Sequence, residues 1–115
     1  MKTAIIGSRS LQIKDFTAYL PSETTEIITG GAKGIDAYAK AYAESVGLKV
    51  TEFLPEYNRY KRGAPLKRNL QIIEAADCVL AFWDGKSKGT KFVIERCIEQ
   101  DKPIKIFNFL SKSVL

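Results

Sequence analysis

Ile27-Ile28-Thr29-Gly30-Gly31-Ala32-Lys33-Gly34-Ile35-Asp36 runs from an apolar stretch through a glycine turn into a helical pattern. Ile35, Ala39, Tyr42, Ala43 and Val46 carry the helical spacing, and Gly47 is a natural stop just beyond them. Two more apolar stretches end in glycine loops. One is Ile5-Ile6-Gly7-Ser8-Arg9; the other is Val79-Leu80-Ala81-Phe82 followed by Trp83-Asp84-Gly85-Lys86-Ser87-Lys88-Gly89-Thr90, which also enters a helix. Glycine allows a sharp turn and a close backbone approach, and a helix start presents unpaired N–H groups to an anion. Such loops in a basic chain point to a pocket for a phosphorylated small molecule.

Outward from these loops the chain alternates strand and helix patterns without a long linker or repeat. Strands are expected over residues 3–7, 25–29, 49–53, 78–82 and 103–107. Ile13, Phe16 and Leu20 mark a modest helix stopped by Pro21. A polar, basic loop follows from Pro55 to about Gly63, and Pro65 lies just inside the next helix, whose inner face is Leu66, Leu70 and Ile73. Ile94, Cys97 and Ile98 define the last helix. This alternation predicts an α/β fold: a single Rossmann-like, three-layer domain over residues 1–115 with a five-stranded, mainly parallel sheet. With strand order 3-2-1-4-5, ligands belong at the carboxyl ends of the strands, in the crevice between strands one and four. The Gly7-Ser8-Arg9 loop and the 83–90 loop would flank that crevice, with Gly30-Gly31 beside them.

The chain has 115 residues, 45% of them hydrophobic, enough for one domain with a core and no metal or disulfide staple. Two cysteines and no signal-peptide pattern suggest a reduced, cytoplasmic protein whose thiols are core filler. No apolar run is long enough for a membrane span. Histidine is absent, which excludes a Ser-His-Asp or Cys-His nucleophile and makes a zinc site improbable, so no metal ligands are assigned. Net charge is +5, and ten of the 18 cations fall in or beside loops. Arg59, Lys61, Arg62, Lys67 and Arg68 cluster between residues 57 and 68, while Arg9, Lys33, Lys86, Lys88 and Lys91 attend the glycine loops. They either focus potential on an anion or form a solvated cationic surface.

The glycine loop at 30–36 is neither a dinucleotide G-x-G-x-x-G nor a Walker A sequence. Gly30 and Gly31 let the chain pass under a phosphate or ribose, with Lys33 and Gly34 completing the turn. Asp36 either binds a ribose hydroxyl or a metal, or favours the positive end of its helix. Ser87, Lys88, Gly89 and Thr90 form the second phosphate candidate, against the alternative of an N-capped loop. Asp84 is a base or hydroxyl binder, or a turn-former before Gly85. Trp83 either stacks on a base or belongs to the core. Arg68 suits a phosphate and Asn69 a base edge or ribose, and both are expected off the apolar face of their helix.

These motifs together resemble the YspA-like branch of the SLOG superfamily. The resemblance rests on Ile6-Gly7-Ser8-Arg9, Thr29-Gly30-Gly31-Ala32-x-Gly34-Ile35-Asp36, Arg68-Asn69, Ala76-Asp77 and the run from Ala81 to Thr90, and spans about residues 2–108. It implies a Rossmann-like domain that binds nucleotides or nucleotide-derived ligands as a sensor or processor. The superfamily also holds the LOG phosphoribohydrolases, which release a base from a nucleoside monophosphate, and the Smf DNA-processing proteins, which bind single-stranded DNA. LOG hydrolases carry P-G-G-x-G-T-x-x-E with a catalytic glutamate; here the leading Pro-Gly-Gly is absent, with Lys86 and Ser87 in its stretch, and Val93 stands at the glutamate's place.

The expected ligand is therefore a nucleotide-derived phosphorylated small molecule, with Mg²⁺ accompanying it as the one cofactor considered. A nucleotide or nucleotide-sugar hydrolase using Asp84 and Asp36 is one alternative. Single-stranded nucleic-acid binding through residues 57–68, with Tyr57, Tyr60 and Trp83 as stacking aromatics, is another. Phe109, Leu110 and Leu115 in the tail can cover an edge or a partner, including a second copy of the chain.

Overall fold

Alternate residues of each central strand serve opposite faces of one sheet, as the two-residue period of a strand dictates. Ala4 and Ile6 of the first strand, Ile28 of the second, and Val79 and Ala81 of the fourth enter one core. Ile5, Ile27, Leu80 and Phe82 enter the other. Strands buried on both sides must be covered by two further layers. The computed structural model describes residues 1–109 and shows those layers. Leu110 and Leu115 lie outside the described residues.

The strands are β1 (Lys2–Gly7), β2 (Glu26–Thr29), β3 (Lys49–Glu52), β4 (Cys78–Trp83) and β5 (Ile104–Asn108). Their order is β3-β2-β1-β4-β5 and every neighbouring pair is parallel, giving the expected Rossmann-like α/β architecture. The order reverses between β2 and β4 on either side of β1, with Gly7 opposite Phe82 at the carboxyl end. Helix α1 (Ile35–Ser45) covers the Ile5–Leu80 face through Ile35, Ala39 and Ala43. Helices α3 (Ala64–Ala75) and α4 (Lys88–Glu99) cover the other through Ile72, Ile73, Val93, Ile94 and Cys97. Cys97 is core filler, and Cys78 is half-buried.

Three expectations need correction. The helix expected around Ile13, Phe16 and Leu20 does not form; residues 11–20 are irregular, with turns at 17–20. The Asp15 carboxylate accepts the Thr17 N–H at 2.9 Å, a local bond that competes with helical pairing. Phe16 and Tyr19 instead meet Phe82 edge-on at 5.4 and 5.1 Å between centroids, anchoring the segment by aromatic packing.

The polar loop after β3 contains a four-residue helix, α2 (Tyr57–Tyr60), and a 3₁₀ turn (Lys61–Gly63). Neither carries a buried residue. The third correction concerns helix faces. The buried face of α3 is Ala64, Arg68, Asn69, Ile72 and Ile73, whereas Leu66 is 45% exposed. On α4, Ile98 is likewise exposed, and the inward stripe is Thr90, Val93, Ile94 and Cys97. Arg68 and Asn69 therefore lie on the buried side of their helix.

Candidate functional site

A cavity of about 450 Å³ opens at the carboxyl ends of β1 and β4. Its floor and walls come from the β1 loop, the start of α1, α3 and the β4–α4 loop. Ten of the residues expected at a site line it: Gly7, Ser8, Arg9, Asp36, Arg68, Asn69, Asp84, Ser87, Gly89 and Thr90. Gly30, Gly31, Lys33, Gly34 and Lys88 do not, and both lysines are exposed. The cavity also recruits Ile6, Ser10, Ala32, Pro65, Leu66 and Val93. Of these, Ser10 is one residue beyond a loop already singled out, whereas Pro65 and Leu66 carried only a helix signal.

Arg68 is the main cation of the floor, only 9% exposed. Its Nε–H donates to Asn69 Oδ1 at 2.8 Å, and Nη1 donates to the carbonyl of Gly30. A guanidinium has five N–H donors, and among the described residues nothing accepts from its Nη2 group. Burial lowers the Arg68 pKa, opposed by the nearby Asp36 charge. A buried guanidinium with free donors on a cavity wall favours an anion there.

Asp36, 6% exposed, is the matching acid. Burial raises its pKa, while the Ala32 N–H, donated to Oδ2 at 3.1 Å, and the Arg68 charge pull it down. Gly30 separates the two groups: a Cβ on it would lie 2.7 Å from Arg68 Nη1 and 2.9 Å from Asp36 Oδ2. Its neighbours also account for Gly34, where φ is +78° and a Cβ would meet the Arg9 backbone at 2.6 Å. A Cβ on Gly31 would strike Leu54. The 30–34 turn is thus closely packed by its own protein around Arg68, Asp36 and Arg9, which differs from the expected open cradle for a phosphate.

The β4–α4 loop is built differently. Asp84 Oδ1 accepts the N–H groups of Lys86 and Ser87 at 2.8 and 2.9 Å, and Oδ2 accepts the Ser10 hydroxyl at 2.8 Å. Burial pushes its pKa up, but these bonds prevail and hold it at about 2. Both oxygens are engaged, so Asp84 acts as the turn-former of this loop. Trp83 acts as a strut, its Nε1–H donating to the Ser87 carbonyl at 3.0 Å, and it does not line the cavity.

Ser8, Ser87 and Thr90 form a chain of hydroxyls along the wall. The Asp84 N–H donates to Ser8 Oγ at 3.0 Å, Ser8 and Ser87 share a bond of 2.9 Å, and Ser87 donates to Thr90 Oγ1 at 2.8 Å. Each hydroxyl has one proton, so Ser87 must accept from Ser8, and the Thr90 proton is left for an acceptor in the cavity. Beside it, helix geometry leaves the N–H groups of Lys88, Gly89 and Thr90 without an intrahelical acceptor. A Cβ on Gly89 would meet nothing within 4 Å. This helix end and Arg68 bring hydrogen-bond donors from two elements to one cavity, an arrangement suited to an anion.

The residues do not fit a resident Mg²⁺. Asp84 accepts three hydrogen bonds within its own loop region, Asp36 lies buried against the Ala32 N–H and the Arg68 charge, and no group of three or more potential metal-binding side chains occurs among the described residues. The basic segment at 57–68 is arranged around Tyr60, with Arg59 and Lys67 at 5.2 and 5.6 Å from its ring centroid. Tyr57 and Tyr60 do not line the cavity. No helix among the described residues is long and apolar enough to cross a membrane. No protein-family model, curated protein or solved structure matches the chain, so its family stands as a resemblance and its site as geometry.

Proposed function

We propose that this chain binds a nucleotide-derived, phosphorylated ligand, with the phosphate between the N-terminus of α4 and Arg68. The observation that carries this is the buried Arg68 guanidinium, whose unpaired donors share a cavity with the open helix start at Gly89 and Thr90. Helix N–H groups, a hydroxyl proton and a guanidinium are three independent donor types for one phosphate. The volume suits a small-molecule ligand, and the place is where doubly wound sheets hold theirs. The sequence resemblance to YspA-like SLOG proteins points the same way, toward a sensor or processing domain.

Binding is favoured over N-glycosidic hydrolysis by two residues. Val93 lines the cavity where the LOG pattern has its catalytic glutamate, and Asp84 has both oxygens committed to the loop. The test is a thermal-shift screen of nucleotides, nucleotide-sugars, ADP-ribose and short single-stranded DNA. A phosphorylated ligand at 100 times its dissociation constant should add about 2.7 kcal/mol of stability. A response confined to the single strand would move function to the basic 57–68 segment.

A further inference from the structure

Asn69 is 9% exposed and lines the cavity beside Arg68. A guanidinium offers only donors, so the amide must turn its oxygen to Arg68, whose Nε–H it accepts at 2.8 Å. That fixes the other half of the amide. Nδ2 carries two N–H donors and makes no bond among the described residues. It is not one of their sealed, unpartnered polar atoms either, so it reaches open space, and at so buried a residue that space is the cavity.

The rest of the wall between α3 and α4 has the same polarity. Arg68 Nη2, the Thr90 hydroxyl proton and the first N–H groups of α4 are all donors. None of the lining residues from these two helices is acidic. The two carboxylates that do line the cavity are committed within the protein. Asp84 accepts three bonds, and Asp36 is held by Ala32, Gly30 and Thr29. A ligand proton turned to this wall meets donors and no side-chain acceptor.

We infer that Asn69, locked as a donor by Arg68, makes this wall select proton-free oxyanion oxygens, so that the cavity takes a sulfate group as readily as a phosphate. This rests on the phosphate site proposed above. A phosphate must turn its proton-bearing or esterified oxygen away from the wall; a sulfate dianion has no proton to place. Asn69 is a specificity-determining residue because its orientation, and not its charge, sets that rule.

Asn69→Asp tests it. One carboxylate oxygen still accepts from Arg68 Nε, while the other puts an acceptor where the donor stood. At pH 8 inorganic phosphate and sulfate are both dianions, and phosphate alone carries a proton. Calorimetric titration of the folded chain with each anion, and with AMP, therefore separates contact from charge. Wild type should bind the two anions within about tenfold of each other. In Asn69→Asp the preference for phosphate over sulfate should rise by at least about tenfold, the low end of a hydrogen bond to a charged group. Equal weakening of both anions would mean that position 69 acts through charge alone, overturning the inference and leaving the phosphate site standing. A wild-type preference for phosphate above about tenfold does the same, since an acceptor must then face the ligand. Where Asn69→Asp does not fold or binds neither anion, Asn69→Leu decides: both anions should weaken at least about tenfold, and unchanged affinity overturns the inference. Binding of AMP by wild type with both anions silent overturns the inference alone; silence of all three overturns the phosphate site as well.

Discussion

Arg68 reaches across 38 positions of sequence to donate to the main-chain carbonyl of Gly30, on the far side of β1 from its own helix layer neighbours in α4. The contact exists because Gly30 has no side chain: a Cβ there would stand 2.7 Å from Nη1. Gly30→Ala is therefore expected to push the guanidinium out of place and cost about 1.5–3 kcal/mol, the worth of a hydrogen bond to a charged group. Urea unfolding measures it. A change within about 0.5 kcal/mol, the range of an ordinary surface substitution, would show that Arg68 has room elsewhere.

Gly89 should behave in the opposite way. It lines the cavity, yet a Cβ on it would meet nothing of the protein within 4 Å. Gly89→Ala should keep or slightly raise stability, since alanine is the better helix former by about 1 kcal/mol. It should nevertheless weaken a bound phosphate by narrowing the approach to the helix N–H groups. A normal melting curve with unaltered affinity would take Gly89 out of the site.

Gly34 and Gly47 share a left-handed φ, +78° and +77°, but not their surroundings. A Cβ at Gly34 would lie 2.6 Å from the Arg9 backbone, whereas Gly47 faces open space. Gly47→Ala should cost about 1–2 kcal/mol, the conformational penalty alone. Gly34→Ala adds a clash with main chain and should destabilise considerably more, or prevent folding. Equal midpoints for the two variants would contradict the packing of the 30–34 turn on Arg9.

The two cavity carboxylates should respond to pH with opposite signs. Asp84 titrates at about 2 in the fold, below its ordinary 3.8, so its contribution is full above pH 3.8 and is lost as pH falls through 2. Asp84→Asn should cost about 1–2 kcal/mol at pH 7, allowing for solvent screening, and almost nothing at the acid end. Asp36 is raised by burial, so the folded state holds its proton more tightly and stability declines as pH rises above 3.8. Asn at position 36 keeps an acceptor for the Ala32 N–H and removes the buried charge. Asp36→Asn should be more stable than wild type at pH 7 and indistinguishable from it once pH is below 3.8. Denaturant melts at both pH values decide, and effects of the same sign in both variants at pH 7 would refute the assignment.

The strand order and the crevice between β1 and β4 were legible in the sequence because their signals are local. Continuous apolar runs mark Ala4 to Ile6 and Val79 to Phe82, and a glycine-bearing loop follows each run. What the glycines do was not legible. Gly30 and Gly34 answer to Arg68 and Arg9, partners far along the chain, and sequence gives a packing glycine and a ligand glycine the same letter. Arg68 was expected off the apolar face of α3 because the helical period was counted from Leu66, Leu70 and Ile73. Its four-residue steps to Ala64 and Ile72 are the signal that places it inward. The turn at residues 11–20 carried a helical period that Asp15 and two aromatic anchors override. The Ser8-Ser87-Thr90 chain joins residues that only the β1–β4 register brings together.

The central claim, a phosphate held between Arg68 and the start of α4, is tested most directly by titrating AMP and adenosine into wild type and Arg68→Ala. Circular dichroism first establishes that the variant is folded. The account predicts that AMP affinity falls by about 1.5–3 kcal/mol, while adenosine binds both proteins alike. Equal losses for the two ligands, or none for AMP, would contradict it.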